Sequence, residues 1–121
     1  MVNEHPPAPP VPPAPVQRVL VVEDLEDART SLQELLQMSL RLEVDTAEDG
    51  AAGLAMLRAK PYSLVITDLR MPRLGGMKLI EAIQAERIPV TVIVTTGHGN
   101  VKDAVDAMRM GVYDFVTKPP D

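Results

Sequence analysis

From Arg18 onward the sequence predicts an α/β domain built on a doubly wound, parallel, five-stranded sheet. Three observations carry the prediction. Short β-branched runs alternate with longer stretches of helical period. The apolar runs are of two kinds, continuous and alternating, as buried and edge strands require. Polar residues gather just after the strands, where open parallel sheets bind their ligands.

The first strand, Val19 to Val22, is continuously apolar. A helix follows in which Ala28, Leu32, Leu35, Leu36 and Leu40 form one stripe. The second strand, Leu42 to Asp45, alternates, and the second helix carries a shorter stripe of Ala51, Leu54, Ala55 and Leu57. The third strand, Leu64 to Thr67, is again continuous, and Leu79, Ile80 and Ile83 mark the third helix. The fourth strand, Val90 to Thr95, has the continuous centre Val92-Ile93-Val94. The fourth helix is expected to start at Asn100, a capping residue type with Asp103 three positions later. It is expected to bury Val101, Ala104, Val105 and Met108, to leave Met110 at the surface, and to stop at Gly111. The fifth strand, Tyr113 to Thr117, alternates. Strands 2 and 5 are therefore the edges, which agrees with the order 2-1-3-4-5.

Seven of the twelve prolines fall between Pro6 and Pro15. Residues 1–17 read as a disordered, polyproline-like leader, and residues 18–121 as the domain. The Pro-x-x-Pro spacing in the leader is most simply that of a spacer. Tyr62, Tyr113 and Phe115 are the only aromatics, so the core must be aliphatic. There is no cysteine, which excludes disulfides, thiolate zinc sites and a cysteine nucleophile. A formal charge of −5 speaks against a broad basic surface for nucleic acid. No stretch approaches membrane-spanning length, and Met1 to Pro15 have no signal-peptide pattern. A cytoplasmic setting is expected.

The chemistry is expected on the rim at the carboxyl ends of the strands. Glu23 and Asp24 follow the first strand, Asp68 the third, Thr95 and Thr96 close the fourth, and Lys118 follows the fifth. Carboxylates held close together repel, and a hard divalent cation resolves the repulsion. Mg²⁺ suits a small open rim because it takes oxygen ligands, keeps waters and needs only one or two carboxylates plus phosphate oxygens. With the metal in place Asp68 can act as a nucleophile toward phosphorus. Lys118 can neutralise a phosphoryl oxygen, and a threonine hydroxyl can donate to another.

Four motifs in order carry a family resemblance: Val21-Val22-Glu23-Asp24, Asp68-Leu69-Arg70-Met71-Pro72, Val94-Thr95-Thr96-Gly97 and Val116-Thr117-Lys118-Pro119. From about Arg18 to Pro119 the chain resembles the receiver domains of two-component response regulators, with their flavodoxin-like fold. The resemblance implies that Asp68 accepts a phosphoryl group from a histidine kinase or phosphotransfer protein. It implies that Asp24, Asp68 and the backbone carbonyl of Arg70 bind Mg²⁺, with Glu23 acting through water. Thr96 takes the place of the switch hydroxyl, and Phe115 that of the aromatic switch, although strand alternation alone also explains an aromatic there. Such a domain catalyses its own modification and is a switch rather than an enzyme, controlling an output domain or protein partner. Thr96-Gly97-His98-Gly99 together with the Asp68 motif is similar to receivers of nitrogen-regulation-type transcriptional regulators.

The sequence departs from the family pattern in places. Gly75-Gly76 replaces the more usual acidic-glycine pair before the third helix, and Pro120 stands where a Phe is common. The chain reaches Asp121 where a fifth helix is expected to begin, so the domain reads as truncated before that helix. One face of strands 4 and 5 is then uncovered, and the isolated chain is expected to self-associate or to melt below a version extended by one helix. Arg70 and His98 are expected to flank the path of water to the phosphorylated carboxylate. Two rivals are a phosphorylation-independent pseudo-receiver and a phosphatase with an aspartate nucleophile. The phosphatase pattern puts a second acid two residues after the nucleophile, where this chain has Arg70.

Overall fold

The computed structural model describes residues 17–71, 73–97 and 101–118. The leader up to Val16, His98, Asn100, Pro119 and Pro120 lie outside the described residues. Within them the chain alternates strand and helix: β1 (Arg18–Val22), α1 (Glu26–Leu40), β2 (Glu43–Ala47), α2 (Gly50–Ala59), β3 (Leu64–Asp68), α3 (Gly76–Ala85), β4 (Thr91–Thr96), α4 (Val101–Arg109) and β5 (Asp114–Thr117). The strands are all parallel, in the order β2-β1-β3-β4-β5. The expected edges are the observed ones. Strand ends differ by one or two residues, and β4 extends to Thr96, which pairs in register with Thr117.

Successive residues of a strand face opposite sides, so the sheet builds two cores. Leu20, Val22, Val65, Val92 and Val94 pack with Leu54, Leu57, Leu79, Ile80, Ile83 and Ala107 on the side of α2, α3 and α4. Val19, Val21 and Val44 face the other way, against Leu32 and Leu36 of α1.

Two helices pack differently from their stripes. In α1 only Leu32 and Leu36 reach the core, whereas Ala28, Leu35 and Leu40 are exposed. Ala28 and Leu35 border an apolar groove of about 470 Å³, lined also by Leu25, Leu32, Ile66, Thr95 and Val116. The groove lies on a face of β4 and β5 that no helix covers among the described residues. In α4 there are two apolar stripes, and the sheet takes the smaller one. Ala104 and Ala107 are fully buried, Met110 packs at the core margin, and Val101, Val105 and Met108 are exposed. Alanines let the helix axis lie close to the sheet, which turns the larger side chains outward. In α2 the stripe likewise shifts, with Gly53 buried beside Leu54 and Leu57 while Ala51 and Ala55 face solvent.

The one buried aromatic with a polar tip finds a partner. Tyr62 is 5% exposed, and its hydroxyl donates to Asp45 Oδ2 at 2.6 Å, with Lys60 Nζ 2.9 Å from the same oxygen. Burial and the Asp45 contact push the phenol pKa up, and the Tyr62 hydrogen bond holds the Asp45 carboxyl below its ordinary 3.8. Tyr62→Phe is expected to cost about 1–2 kcal/mol at neutral pH, since a bond to a partly exposed charged acceptor is lost. A depressed carboxyl pKa contributes stability above pH 3.8 that is lost as pH falls through the folded value. The difference between wild type and Tyr62→Phe should therefore shrink below pH 3.8, as thermal melts across that range would show.

Candidate functional site

β1 and β3 are adjacent and in register, with Val22 opposite Thr67. The residues after them, Glu23 and Asp24 on one strand and Asp68 on the other, therefore converge at one end of the sheet. Glu23 and Asp68 are buried and Asp24 is half-buried. Each of the three offers a carboxylate oxygen, and these oxygens all lie within 4.8 Å of one another. The acidic loop is tied down by α1: Arg29 Nη1 donates to the backbone carbonyl of Glu23 at 2.9 Å and lies 3.5 Å from that of Asp24. Those bonds use the carbonyls and leave both carboxylates free of Arg29.

β5 delivers the cation. The backbone N–H of Lys118 donates to the carbonyl of Thr96 at 2.7 Å, continuing the β4–β5 ladder past Thr117. Its Nζ then reaches across the rim to Asp68 Oδ2 at 2.6 Å and to Glu23 Oε1 and Oε2 at 3.0 and 3.2 Å. Burial pushes the Lys118 pKa down, but the bonds to Asp68 and Glu23 outweigh it and the ammonium is held above 10.5. Glu23 moves up from 4.5, because burial and the neighbouring Asp68 carboxylate outweigh the help from Lys118. One ammonium among three carboxylates leaves the pocket acidic. Oxygen donors, a net negative charge and partial solvent access together fit a hard divalent cation such as Mg²⁺.

The Asp68 carboxylate is held on both oxygens. Oδ2 faces Lys118, and Oδ1 accepts the backbone N–H of Arg70 at 3.1 Å. The Leu69 N–H donates to the Thr95 carbonyl at 3.2 Å, so the loop leaves β3 still attached to β4. Thr96 ends β4 2% exposed, beside Lys118 through the shared backbone bond. Phe115 pairs with Val94 and packs at the margin of the larger core. Arg70 is exposed and its guanidinium contacts Asp103 of α4. His98 is outside the described residues.

Several residues that shape the site are not among those the sequence singled out. Asp49 caps α2 by accepting from the Ala52 N–H at 2.8 Å, and its other oxygen pairs with Arg73 of the β3–α3 loop at 2.9 Å. The Ala52 bond, aided by Arg73, holds the Asp49 carboxyl below its ordinary value. Gly50 N–H donates to the Leu74 carbonyl at 2.9 Å, and Gly76 N–H to that of Leu69 at 3.1 Å. α3 starts at Gly76 with no capping side chain, as Gly75-Gly76 implied. Asp49 had a readable signal, an Asp before the second helix, but its partner Arg73 lies 24 residues away and could not be read from spacing.

The profile of the response regulator receiver domain matches residues 19–121. Over 100 residues the chain is 44% identical to the transcriptional regulatory protein GlrR of Escherichia coli, covering 80% of this chain and 22% of that protein. It is 37% identical over 101 residues to FixJ of Bradyrhizobium diazoefficiens, covering 84% of this chain and 49% of that one. The chain thus spans half or less of the length of these relatives. Among solved structures it is similar to FixJ-N, with a TM-score of 0.80 at 36% identity over 87% of this chain and 83% of the other. It is also similar to TrrA of Thermotoga maritima in complex with Mg(2+)-BeF, with a TM-score of 0.75 at 29% identity over 85% and 87% of the two chains.

Proposed function

Because this chain belongs to the response regulator receiver domain family, we propose that it is a phosphoacceptor switch with Asp68 as the acceptor. The observation that carries the reading is Asp68 at the end of β3, bonded to Lys118 at 2.6 Å and clustered with Glu23 and Asp24. The donor is a phosphohistidine of a histidine kinase or phosphotransfer protein. An Asp68 carboxylate oxygen attacks phosphorus, the phosphorus–nitrogen bond breaks, and the imidazole leaves and takes up a proton. An acyl phosphate can serve in its place, with a carboxylate leaving.

Each side chain has a physical task. Asp24, Asp68 and the Arg70 carbonyl would hold Mg²⁺, with Glu23 acting through water, and the ion would supply positive charge to offset the carboxylates and the phosphoryl oxygens. The Mg(2+)-BeF complex of TrrA supports that assignment by analogy. Lys118, already charged and aimed at Asp68, shifts its contact to a phosphoryl oxygen. The Thr96 hydroxyl donates to another, and Phe115, paired with Val94 of β4, is the aromatic switch. Residues 1–17 act as a leader, and the output is carried by a partner domain or protein, as the transcriptional regulators among the relatives suggest. A cytoplasmic setting is part of this reading, by analogy with the transcriptional regulators among the relatives. Among the described residues no helix is long and apolar enough to cross a membrane.

With Mg²⁺ and a small acyl phosphate the chain should gain one phosphoryl mass, and a chelator should abolish the gain. No gain, or one indifferent to the chelator, would count against the reading. A metal that binds only the folded state also stabilises it, by about 2.7 kcal/mol at 100 times its dissociation constant. Asp24→Asn should weaken that response. An unchanged magnesium-dependent melting shift in this variant would remove Asp24 from the metal site.

A further inference from the structure

Arg70 links the rim to α4. Its backbone N–H is bonded to the Asp68 carboxylate, while its guanidinium gives two bonds to Asp103 Oδ2, from Nε at 3.1 Å and from Nη2 at 2.7 Å. Asp103 sits in the first turn of α4. That helix is otherwise lightly held: Ala104 and Ala107 are its buried residues, and among the described residues the Arg70 pair is its one side-chain hydrogen bond to another element. The pair is also easily exchanged, because the Arg70 side chain is 67% exposed and surface ion pairs are weak.

We propose that Arg70 is an exchangeable strut, held by Asp103 in the unmodified domain and drawn to the phosphoryl group when Asp68 is modified, which releases the first turn of α4. The inference rests on the phosphoacceptor reading. A phosphoryl group on Asp68 presents more negative charge than one carboxylate, two residues from Arg70 along the chain. Guanidinium bonds phosphate oxygens in the same forked geometry that it uses for carboxylates. Asp103 is thus a positioning residue. It competes with the phosphoryl group for one cation, and occupancy at Asp68 becomes a change in how firmly α4 is held.

The competition can be read with Mg²⁺ and beryllofluoride, a stable phosphoryl mimic, titrated against wild type, Arg70→Gln, Asp103→Asn and the double variant. These exposed polar substitutions leave the core intact, which melting curves would verify. Asp103→Asn should bind the mimic roughly 2- to 5-fold more tightly than wild type, the span that a surface ion pair corresponds to. Arg70→Gln should bind it more weakly, and in that background Asp103→Asn should have no effect. Hydrogen exchange in residues 101–105 should rise on adding the mimic to wild type, and should already be fast in Arg70→Gln. An Asp103→Asn effect that is absent, or equal in both backgrounds, would overturn the strut while leaving the acceptor assignment standing. Wild-type binding that does not depend on Asp68 would overturn both.

Discussion

Gly50→Ala is expected to destabilise the domain by on the order of 3 kcal/mol, the upper end of what overpacking costs. A Cβ on Gly50 would stand 2.1 Å from the backbone oxygen of Leu74 and 2.9 Å from its carbonyl carbon. Neither atom can rotate away. The same backbone oxygen accepts the Gly50 N–H, so the clash also breaks the bond that pins the β3–α3 loop to α2. For a domain of this size each kcal/mol lowers the melting temperature by about 4–8 °C. Gly75→Ala is the control, since its Cβ would meet nothing nearer than Leu69 O at 3.4 Å. It should stay within about 1 kcal/mol of wild type. Comparable melting of the two variants would show that the loop yields to α2 without cost. Gly76→Ala would press a Cβ to 2.2 Å from the Asp68 carbonyl oxygen, so it should disturb the rim as well as the fold.

The sheet was legible because burial on one or two faces leaves its mark on a strand of four or five residues. Val19-Leu20-Val21-Val22 is apolar throughout since α1 covers one side and α2 with α3 the other, and the alternation of β2 and β5 placed both at the edges. The rim was legible for a related reason: a parallel sheet brings the residues after neighbouring strands together, however far apart they are in sequence. Helix faces were less legible. α4 offers the sheet either Val101, Val105 and Met108 or Ala104 and Ala107, and hydrophobicity favours the first while close packing takes the second. Long-range ion pairs were not legible at all. Nothing in local spacing marks Arg73 as the partner of Asp49 or Asp103 as the partner of Arg70, because both depend on loop paths that only the packed fold determines.

The exposed part of α1 belongs to the same lesson. Leu35 fits a helical stripe, yet it is 59% exposed, since the groove beside β4 and β5 has no cover among the described residues. A stripe records what a helix can bury, and burial needs a second surface to meet it.

The central claim is that Asp68 takes the phosphoryl group, and the most direct measurement is the location of that mark. Asp68 is the carboxylate whose oxygens are oriented by Lys118 on one side and the Arg70 N–H on the other. Asn at this position keeps the shape of the side chain but not the anionic nucleophile. Wild type and Asp68→Asn would be treated with Mg²⁺ and an acyl phosphate, then followed by intact mass and by peptide mapping. The wild-type chain should gain one phosphoryl mass on the peptide containing Asp68, and Asp68→Asn should gain none while folding normally. Labelling of Asp68→Asn at the wild-type rate, or a wild-type mark on Asp24 or Glu23 instead, would contradict the account.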